Sequence, residues 1–311
     1  MTITLNMIQK CLKNNDIKFE VVGDISSVEK VSAIGSSVRD SVCYYVGDEK
    51  DLLAGIKRSI IFCKPTLDID IETGNSYILT DHPQLCFYLV SGLGGKNEKP
   101  TINKNSWIDE NACIGENVSI GPFCTIEKCS IGDNTVIESG VKIHRNSVIG
   151  KNVHIQANSV IGAIGVMWAW SEDGRKIRCY QSGHVIVEDD VFIGSNVSVV
   201  RGAFENLPTV IGCNTMISHG TMIGHGVIIG YSNHFANNVS IGGSVKTGKN
   251  CFFGSGASVR PHVSLGDDTT IGAGAVVVKD TIDSGMTLVG CPAKGIQSTK
   301  KNQSGVPSPF V

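Results

Sequence analysis

An aliphatic or related residue returns at every sixth position over most of this chain, and this spacing constrains the fold more than any other feature. The longer series covers residues 187–277 and is broken only at position 205. An earlier series covers residues 102–161 and slips by one residue between Ile126 and Ile131. A period of six fits neither an α-helix nor a half-buried strand. It is typical of the hexapeptide repeat of a parallel β-helix.

Three hexapeptides make a coil of about 18 residues, and successive coils stack about 4.8 Å apart. The recurring aliphatic side chains then point into a narrow prism, while Gly, Asn and Asp occupy corners that need a positive φ. Glycine supplies 36 of the 311 residues, about 12% against a usual share of roughly 7%. Aromatic residues are only 6% and charged residues 18%. This composition is unlike that of a helical or doubly wound enzyme.

The overall charge and the lack of long apolar runs limit the partners. The 27 Lys+Arg and 29 Asp+Glu give a formal net charge of −2, so no basic field indicates binding to nucleic acid or to an anionic membrane. No apolar run has the length of a signal peptide or a membrane span. The cysteines are dispersed and form no CxxC pair, which suits a reducing compartment. We therefore expect a cytoplasmic protein with no membrane span.

The repeat is absent from the first 98 residues, which predict a separate small α/β domain. Short strands are predicted around residues 41–46 and 59–63, and a strand followed by a helix over residues 76–90. Residues 92–99 have the composition of a linker. A β-helix domain is then predicted over residues 99–295, interrupted by a protruding loop at 162–184. The polar tail 296–311 is predicted to be disordered.

The repeat resembles that of the left-handed β-helix acyltransferases of the hexapeptide superfamily, and the left hand is implied by this resemblance. The N-terminal and central parts are similar to UDP-3-O-acyl-glucosamine N-acyltransferase, an enzyme of lipid A and hence lipopolysaccharide synthesis. The similar segments are SYILTDHPQLCF (76–87), GAIG…SEDG (162–174) and RGA (201–203). The fold class implied is mainly β, a left-handed parallel β-helix with a small N-terminal α/β domain. In that family the N-terminal domain holds the uracil nucleotide.

The C-terminal part departs from that family, which ends in helices that help to receive acyl carrier protein. The segments GAGAVVVKD (272–280) and GCPAKG (290–295) resemble instead the ending of coenzyme A-dependent acetyltransferases, including the sialic acid and bacillosamine group. This resemblance implies acyl-coenzyme A as the co-substrate and a homotrimer with sites between neighbouring subunits.

His225 is the candidate general base, because in both groups of relatives the histidine in this context, here IGHGVIIG, has that role. A sugar amine must lose a proton before it attacks a thioester, and imidazole titrates near neutral pH. One coil of 18 residues beyond His225 lies Gly243, whose N–H could donate to the developing oxyanion. An acidic residue or Asn follows the base in the relatives, whereas Gly226 follows here. The group that orients His225 must therefore come from another coil or subunit.

Further site residues are predicted partly from the same resemblance, and partly from the hexapeptide position of His219 and from the small size or positive charge of residues near the coil corners. The candidate substrate-binding residues are His219, His234, His262, Tyr44 and Arg201, with Tyr44 as the base-stacking aromatic. The candidate coenzyme A-binding residues are Gly243, Gly254, Ala257, Ala275, Lys279 and Lys294, with the two lysines facing phosphates. No metal is expected.

The function predicted is N-acyl transfer from acyl-coenzyme A to the amine of a nucleotide-linked (UDP or dTDP) amino sugar, for surface polysaccharide synthesis. One alternative is an acyl-carrier-protein-dependent, lipid A-type N-acyltransferase. Another is a non-catalytic β-helix that binds a nucleotide sugar. A γ-class carbonic anhydrase shares the fold but needs an H-x₄-H pair. The spacing of His219 and His225 does not supply that pair.

Overall fold

Two compact units divide the chain, residues 1–98 and residues 99–311. The computed structural model describes residues 2–35, 38–47, 53–69, 74–93 and 99–297. For residues 296 and 297 it describes the backbone alone. The predicted linker lies partly outside the described residues, and the predicted disordered tail lies almost wholly outside them.

The N-terminal unit is an α/β fold, with a mostly parallel sheet of five strands. In spatial order its strands are Glu20–Val22, Ser76–Leu79, Ile60–Cys63, Ser41–Tyr44 and Lys30–Val31. Only the first of these runs antiparallel to its neighbour. The shorter pairs are Ile3–Thr4 with Ser27–Val28 and Val38–Arg39 with Ile56–Lys57. The strands expected in this region are confirmed.

Two helices complete this unit, α1 at Leu5–Asn14 and α2 at Pro83–Ser91. The Thr4 side chain accepts a hydrogen bond from the Met7 N–H and so caps the start of α1. Helix α2 begins with Pro83, which needs no hydrogen-bond partner at that position. Among the described residues, no helix combines the length and the apolar character needed to cross a membrane.

The second unit is a parallel β-helix with three faces, named here in the order in which each coil meets them. The first face has the strands Trp107–Ile108, Thr125–Ile126, Lys142–Ile143, Val160–Ala163, Ser198–Val200, Met222–Ile223, Ser240–Ile241, Ser258–Val259 and Val276–Val277. The second face has Cys113–Ile114, Ser130–Ile131, Val148–Ile149, Val185–Val187, Thr209–Ile211, Ile228–Ile229, Lys246–Thr247 and Ser264–Leu265. The third face has Ser119–Ile120, Val136–Ile137, His154–Ile155, Phe192–Ile193, Met216–Ile217, His234–Phe235, Phe252–Phe253, Thr270–Ile271, Met286–Val289 and Lys294–Gln297. The first, second and third corners follow the faces of the same number.

The sixfold register of the sequence is the register of the strands, and the parallel β-helix predicted from it is confirmed, with the left hand that the resemblance implied. Ile223 pairs with Ile241, which pairs with Val259, so a full coil is 18 residues. The slip near Ile126 appears as steps of 17 residues, as where Ile126 pairs with Ile143. Aliphatic side chains of all three faces fill the prism, and Phe235 stacks on Phe253 with ring centroids 4.2 Å apart.

A ladder of short polar side chains runs up the second corner and explains the Asn and Asp of the repeat. Asn134 has a φ of 60° and donates from Nδ2 to Oδ1 of Asn152, one coil above, at 3.3 Å. Asn152 donates in turn to Asp190 at 3.0 Å. Asn and Asp adopt positive φ more readily than other non-glycine residues. The ladder therefore satisfies polar groups at corners that only a few residue types can form.

Two excursions leave the β-helix at the first corner. The predicted loop 162–184 contains an antiparallel hairpin, Trp168–Trp170 with Lys176–Arg178, which the sequence did not indicate. The Nζ of Lys176 lies 4.5 Å from the ring centroid of Trp168, a cation–π contact. The second excursion lies between Val200 and Thr209, where the repeat breaks at position 205. Both excursions start on coils just before the one that carries His225.

The inward and outward positions of one strand offer a test of this packing. Ile149 is 2% exposed and its neighbour Val148 is 42% exposed. Ile149→Ala should lower the free energy of unfolding by about 2–5 kcal/mol, because it leaves a cavity in the prism. Val148→Ala should change it by only about 0.5 kcal/mol. Urea unfolding of the two variants makes the comparison, and equal losses would contradict the described register.

Candidate active site

His225 stands at the first corner, between the strands Met222–Ile223 and Ile228–Ile229. The N–H of Ser244, in the coil above, donates to the carbonyl oxygen of His225 at 2.8 Å. The side chain is partly exposed, and no described residue forms a hydrogen bond or ion pair with its ring. The short β-helix turn thus fixes the backbone of His225, while its imidazole is left open to a substrate.

Gly243 lies directly above His225, as the 18-residue coil predicted. A Cβ placed on Gly243 would lie 2.6 Å from Nε2 of His225 and 2.8 Å from Cε1. The imidazole therefore stands against the Gly243 α-carbon, in space that any side chain would fill. Within the described part of the chain, the Gly243 N–H donates no hydrogen bond. An imidazole and a free backbone N–H next to one another are the two groups that attack on a thioester requires.

The first corner also carries three more of the predicted site residues. Arg201 lies one coil below His225, because Val199 pairs with Ile223. His262 lies above, where its N–H donates to the Gly243 carbonyl at 2.9 Å and its side chain is exposed. Lys279 follows the strand Val276–Val277 and is exposed on the same corner. The first corner therefore has the Arg201 cation one coil below His225, and the side chains of His262 and Lys279 on the coils above it.

His219 lies on the third corner, one hexapeptide before His225. Its Nδ1 accepts a hydrogen bond from the Ser195 N–H at 2.9 Å, while the side chain as a whole is exposed. This contact leaves the neutral ring with its proton on Nε2, directed away from the backbone. Within one chain, His219 and His225 thus lie on different corners of the β-helix.

His234 points outward from the third face and is half buried. Its ring stacks on Phe252 with centroids 5.2 Å apart and an interplanar angle of 12°. Burial lowers the pKa of His234 below the ordinary value for histidine, so the ring is neutral near pH 7. Lys294 is also on this face, exposed in the final strand.

The structure corrects three of the predicted coenzyme A residues. The side chains of Ala257 and Ala275 are fully buried in the β-helix core, so neither can line an external site. Both occupy the second inward position of the repeat, the position that Val239 fills one coil before Ala257 and two coils before Ala275. Gly254 is buried on the third corner, where a Cβ would lie 2.5 Å from the Ala273 nitrogen. Gly243, Lys279 and Lys294 remain accessible.

Tyr44 ends a parallel strand of the N-terminal unit and meets two aromatic residues that the sequence did not single out. Its ring centroid is 4.9 Å from that of Phe87 and 6.2 Å from that of Tyr88, both in α2. Burial, and then the neighbouring Tyr88, raise the pKa of Tyr44. Ligands of open α/β sheets commonly bind at the carboxyl ends of parallel strands. Tyr88 is 58% exposed, so this aromatic cluster is open to a planar ligand.

Comparisons with known proteins agree with this architecture. The family described as bacterial transferase hexapeptide (six repeats) matches residues 128–163 and 244–279. The hexapeptide repeat of succinyl-transferase matches residues 184–203. Over these residues the chain therefore carries hexapeptide repeats of the kind found in bacterial transferases. No curated protein matches the chain at a significant level.

Solved structures similar to this chain include three UDP-N-acetylglucosamine acyltransferases. The enzyme from Moraxella catarrhalis is 25% identical with a TM-score of 0.57, over 62% of this chain and 73% of that one. The enzyme from Bacteroides fragilis is 25% identical with a TM-score of 0.56, over 63% and 74%. The enzyme from Francisella novicida is 26% identical with a TM-score of 0.56, over 63% and 70%.

A methyl group at Gly243 tests the contact between the two central residues. Gly243→Ala should displace the His225 ring and lower turnover by about 100-fold, since a shift of about 1 Å can have that effect. Gly243 has no positive φ and the obstructing atoms belong to a side chain that can move. The free energy of unfolding should therefore change by no more than about 0.5 kcal/mol.

The control for this variant is Gly272→Ala, a corner glycine on the third corner where a Cβ would come within 3.1 Å of Val289 Cγ1. Turnover and thermal unfolding of both variants are measured. Full turnover by Gly243→Ala would contradict the placement of His225.

Proposed function

We propose that the chain is an N-acyltransferase that moves an acyl group from acyl-coenzyme A to the amine of a nucleotide-linked amino sugar, with UDP or dTDP as the nucleotide. The observation that carries this proposal is the His225 imidazole against the Gly243 α-carbon, with the Gly243 N–H free. Similar structures are named as acyltransferases that act on UDP-N-acetylglucosamine, and this supports a nucleotide sugar as the acceptor. Products of this kind feed surface polysaccharides.

His225 acts as the general base. Its Nε2 accepts a proton from the neutral amine as the nitrogen attacks the thioester carbonyl. The new bond joins the sugar nitrogen to the acyl carbon, and the bond from that carbon to sulfur breaks. His225 then returns the proton to the departing thiolate. The reaction therefore leaves an amide and a free thiol and needs no further reactant.

Gly243 stabilises the charge that develops on the thioester oxygen. A backbone N–H held in place by the coil needs no rearrangement when this charge forms, and such a donor contributes about 10²–10³-fold to the rate. Gly243 must lack a side chain for two reasons. A Cβ there would occupy the space of the His225 imidazole, and it would also obstruct the approach of the thioester to the Gly243 N–H.

The residues present fit coenzyme A at the first corner. Lys279 is exposed above Gly243 and provides a cation for a phosphate, while a pantetheine arm needs only the small surface of Gly243 beside it. When bound, the co-substrate supplies the activated thioester. After the coils, the described chain continues as a hairpin, Met286–Val289 with Lys294–Gln297. The segments 272–280 and 290–295, which resemble those of coenzyme A-dependent acetyltransferases, support coenzyme A as the donor.

The acceptor nucleotide is assigned to the N-terminal unit and the catalytic groups to homotrimer clefts. Tyr44, Phe87 and Tyr88 offer aromatic faces on which a pyrimidine can stack. A cyclic trimer would cover exposed flanks of the coils and bring residues of different corners, such as His219 and His225, to one cleft. An acidic residue that orients His225 can reach it from a neighbouring subunit in the same way.

His225→Ala tests the proposed base. Turnover is measured as thiol release from acetyl-coenzyme A in the presence of UDP- and dTDP-linked amino sugars, with acyl carrier protein thioesters as a second donor. The variant should lose about 10²–10⁴-fold in rate and keep its trimeric mass and its binding of UDP. His219→Ala should retain the greater part of the activity. Full turnover by His225→Ala, or loss in His219→Ala alone, would overturn the assignment.

A further inference from the structure

The peptide bond that follows His225 is held from the coil above and from the coil below. Its carbonyl, which belongs to His225, accepts from the Ser244 N–H at 2.8 Å. Its N–H, which belongs to Gly226, donates to Oγ1 of Thr209 at 2.8 Å. Gly226 has a φ of 63°, so both bonds lie within the tight turn at the first corner. The direction in which the His225 side chain leaves the backbone therefore depends on two hydrogen bonds, and one of them is made by a side chain.

In a regular coil, a backbone carbonyl accepts the hydrogen bond that Thr209 accepts here. On the next coil the His262 N–H donates to the Gly243 carbonyl, one coil below, at 2.9 Å. The same pattern would direct the Gly226 N–H to the carbonyl of Arg201. The second excursion from the coils begins at that point, and the Gly226 N–H donates to the Thr209 hydroxyl instead. Thr209 thus replaces a coil contact that the excursion removes.

The Thr209 hydroxyl is fully buried, and its own proton is directed to the start of the excursion. The residue is 0% exposed, and its Oγ1 donates to the Val200 carbonyl at 2.7 Å. A hydroxyl has one proton to donate and two lone pairs that accept. The bond to Val200 therefore fixes the rotation of the hydroxyl and leaves its lone pairs for the Gly226 N–H. One oxygen atom joins both ends of the excursion to the turn of His225.

Other buried threonines at the same position of the repeat form different hydrogen bonds. Thr135, Thr215 and Thr221 each donate to the carbonyl fifteen residues ahead and accept from the N–H eighteen residues ahead. Thr209 donates instead to the carbonyl nine residues behind and accepts from the N–H seventeen residues ahead. A hydroxyl that elsewhere only joins neighbouring coils is therefore redirected to the turn that carries His225.

His225 has no carboxylate that orients its ring, in contrast to two other histidines of the β-helix. His144 Nδ1 lies 3.1 Å from Oε1 of Glu127, and His154 Nε2 lies 2.8 Å from Oε1 of Glu138. No described residue bonds the imidazole of His225, and the residue that follows it in the chain has no side chain. Within one chain, the orientation of this ring therefore depends on its backbone and on its steric contact with the coil above.

We propose that Thr209 is a positioning residue for the general base. Its hydroxyl holds the Gly226 N–H, and this bond keeps the His225 imidazole against the Gly243 α-carbon. Thr209 is buried, so it acts through His225 rather than on a substrate. A displacement of about 1 Å at a reacting group can lower the rate about 100-fold. This assignment rests on the proposed function and adds to its site a residue outside the first corner.

Three substitutions at Thr209 separate the hydroxyl from the bulk of the side chain. Thr209→Ser keeps the hydroxyl, whereas Thr209→Val and Thr209→Ala remove it. Val239 and Ala257 occupy the same buried position in later coils, so both replacements fit the prism. The control is Thr215→Val, which removes a hydroxyl that is also buried and that bonds the second corner, away from His225. Thermal unfolding of each full-length variant shows that the fold is retained.

The first readout is steady-state turnover of acetyl-coenzyme A with a nucleotide-linked amino sugar. Thr209→Val and Thr209→Ala should lower kcat by about 10- to 100-fold. The KM values of both substrates should be unchanged, because the base is displaced while the binding surfaces are not. Thr209→Ser and Thr215→Val should keep the greater part of kcat. Thr209→Val added to His225→Ala should cause little further loss, since residues that act through one group are not additive.

The second readout does not depend on turnover. Carbon-13 at histidine Cε1 gives NMR signals of the imidazole rings, and the signal of His225 is the one that is missing in His225→Ala. Thr209→Val and Thr209→Ala should shift this signal, because the ring moves relative to the coil above. Thr215→Val should leave it in place, although that variant loses a hydroxyl of the same kind.

Four results would overturn the proposal. They are an unaltered kcat in Thr209→Val and Thr209→Ala, equal losses in Thr209→Val and Thr215→Val, a Thr209→Ser variant as impaired as Thr209→Val, and a His225 signal that stays in place when the hydroxyl is removed. Failure of the proposed function has a different signature. The unaltered chain would then show no turnover, while the His225 signal would still depend on the Thr209 hydroxyl.

Discussion

The hydrogen bonding of each coil onto the next is the constraint on which the rest of this structure depends. The N–H groups of one coil donate to the carbonyl groups of its neighbour at nearly constant distances, as where the Gly224 N–H meets Ile241 at 2.8 Å. These bonds fix the 18-residue step, and that step decides which side chains share a corner. Residues distant in sequence are therefore brought together without any specific tertiary contact between their side chains.

The proposed active site follows from this 18-residue step and from the lack of a side chain at Gly243. His225 takes the first corner of one coil, and the next coil offers Gly243, which has neither a side chain to fill the space nor a hydrogen bond for its N–H. On the next corner of the same coil, the N–H at the equivalent hexapeptide position, that of Lys249, donates to the Asp267 side chain. The repeat supplies the backbone geometry, and the absence of a side chain leaves two reactive groups facing the same space.

The departures from the repeat lie on the same corner as His225 and Gly243. The loop 162–184 and the excursion between Val200 and Thr209 both leave the first corner. There the Arg201 Nε donates to the Gly162 carbonyl, and the Ser147 hydroxyl has no partner in the described chain. A regular coil would have satisfied Ser147 and had no place for a buried guanidinium. Unsatisfied or strained groups that a fold retains are commonly functional. The irregular coils thus hold a buried guanidinium on the corner that carries His225.

The sequence predicted the prism, its register and the pairing of His225 with Gly243, because all three depend on a spacing that can be counted. It failed at Ala257 and Ala275, although the same counting could have shown that both residues share an inward position with Val239. The surroundings of Arg201 could not be predicted. They depend on the direction of one carbonyl group at Gly162, and no residue pattern encodes that direction. Phe87 and Tyr88 were missed because a helix pattern does not show which aromatic residues meet a strand end.

The most direct measurement of the central claim is a crystal structure with two ligands. These are a UDP-linked amino sugar and a ketone analogue of acetyl-coenzyme A in which carbon replaces the thioester sulfur. The account predicts the sugar nitrogen at about 2.6–3.2 Å from His225 Nε2. The ketone oxygen should lie about 2.7–3.1 Å from the Gly243 nitrogen. A ketone oxygen bound by any other group, or an amine held away from the first corner, would contradict it.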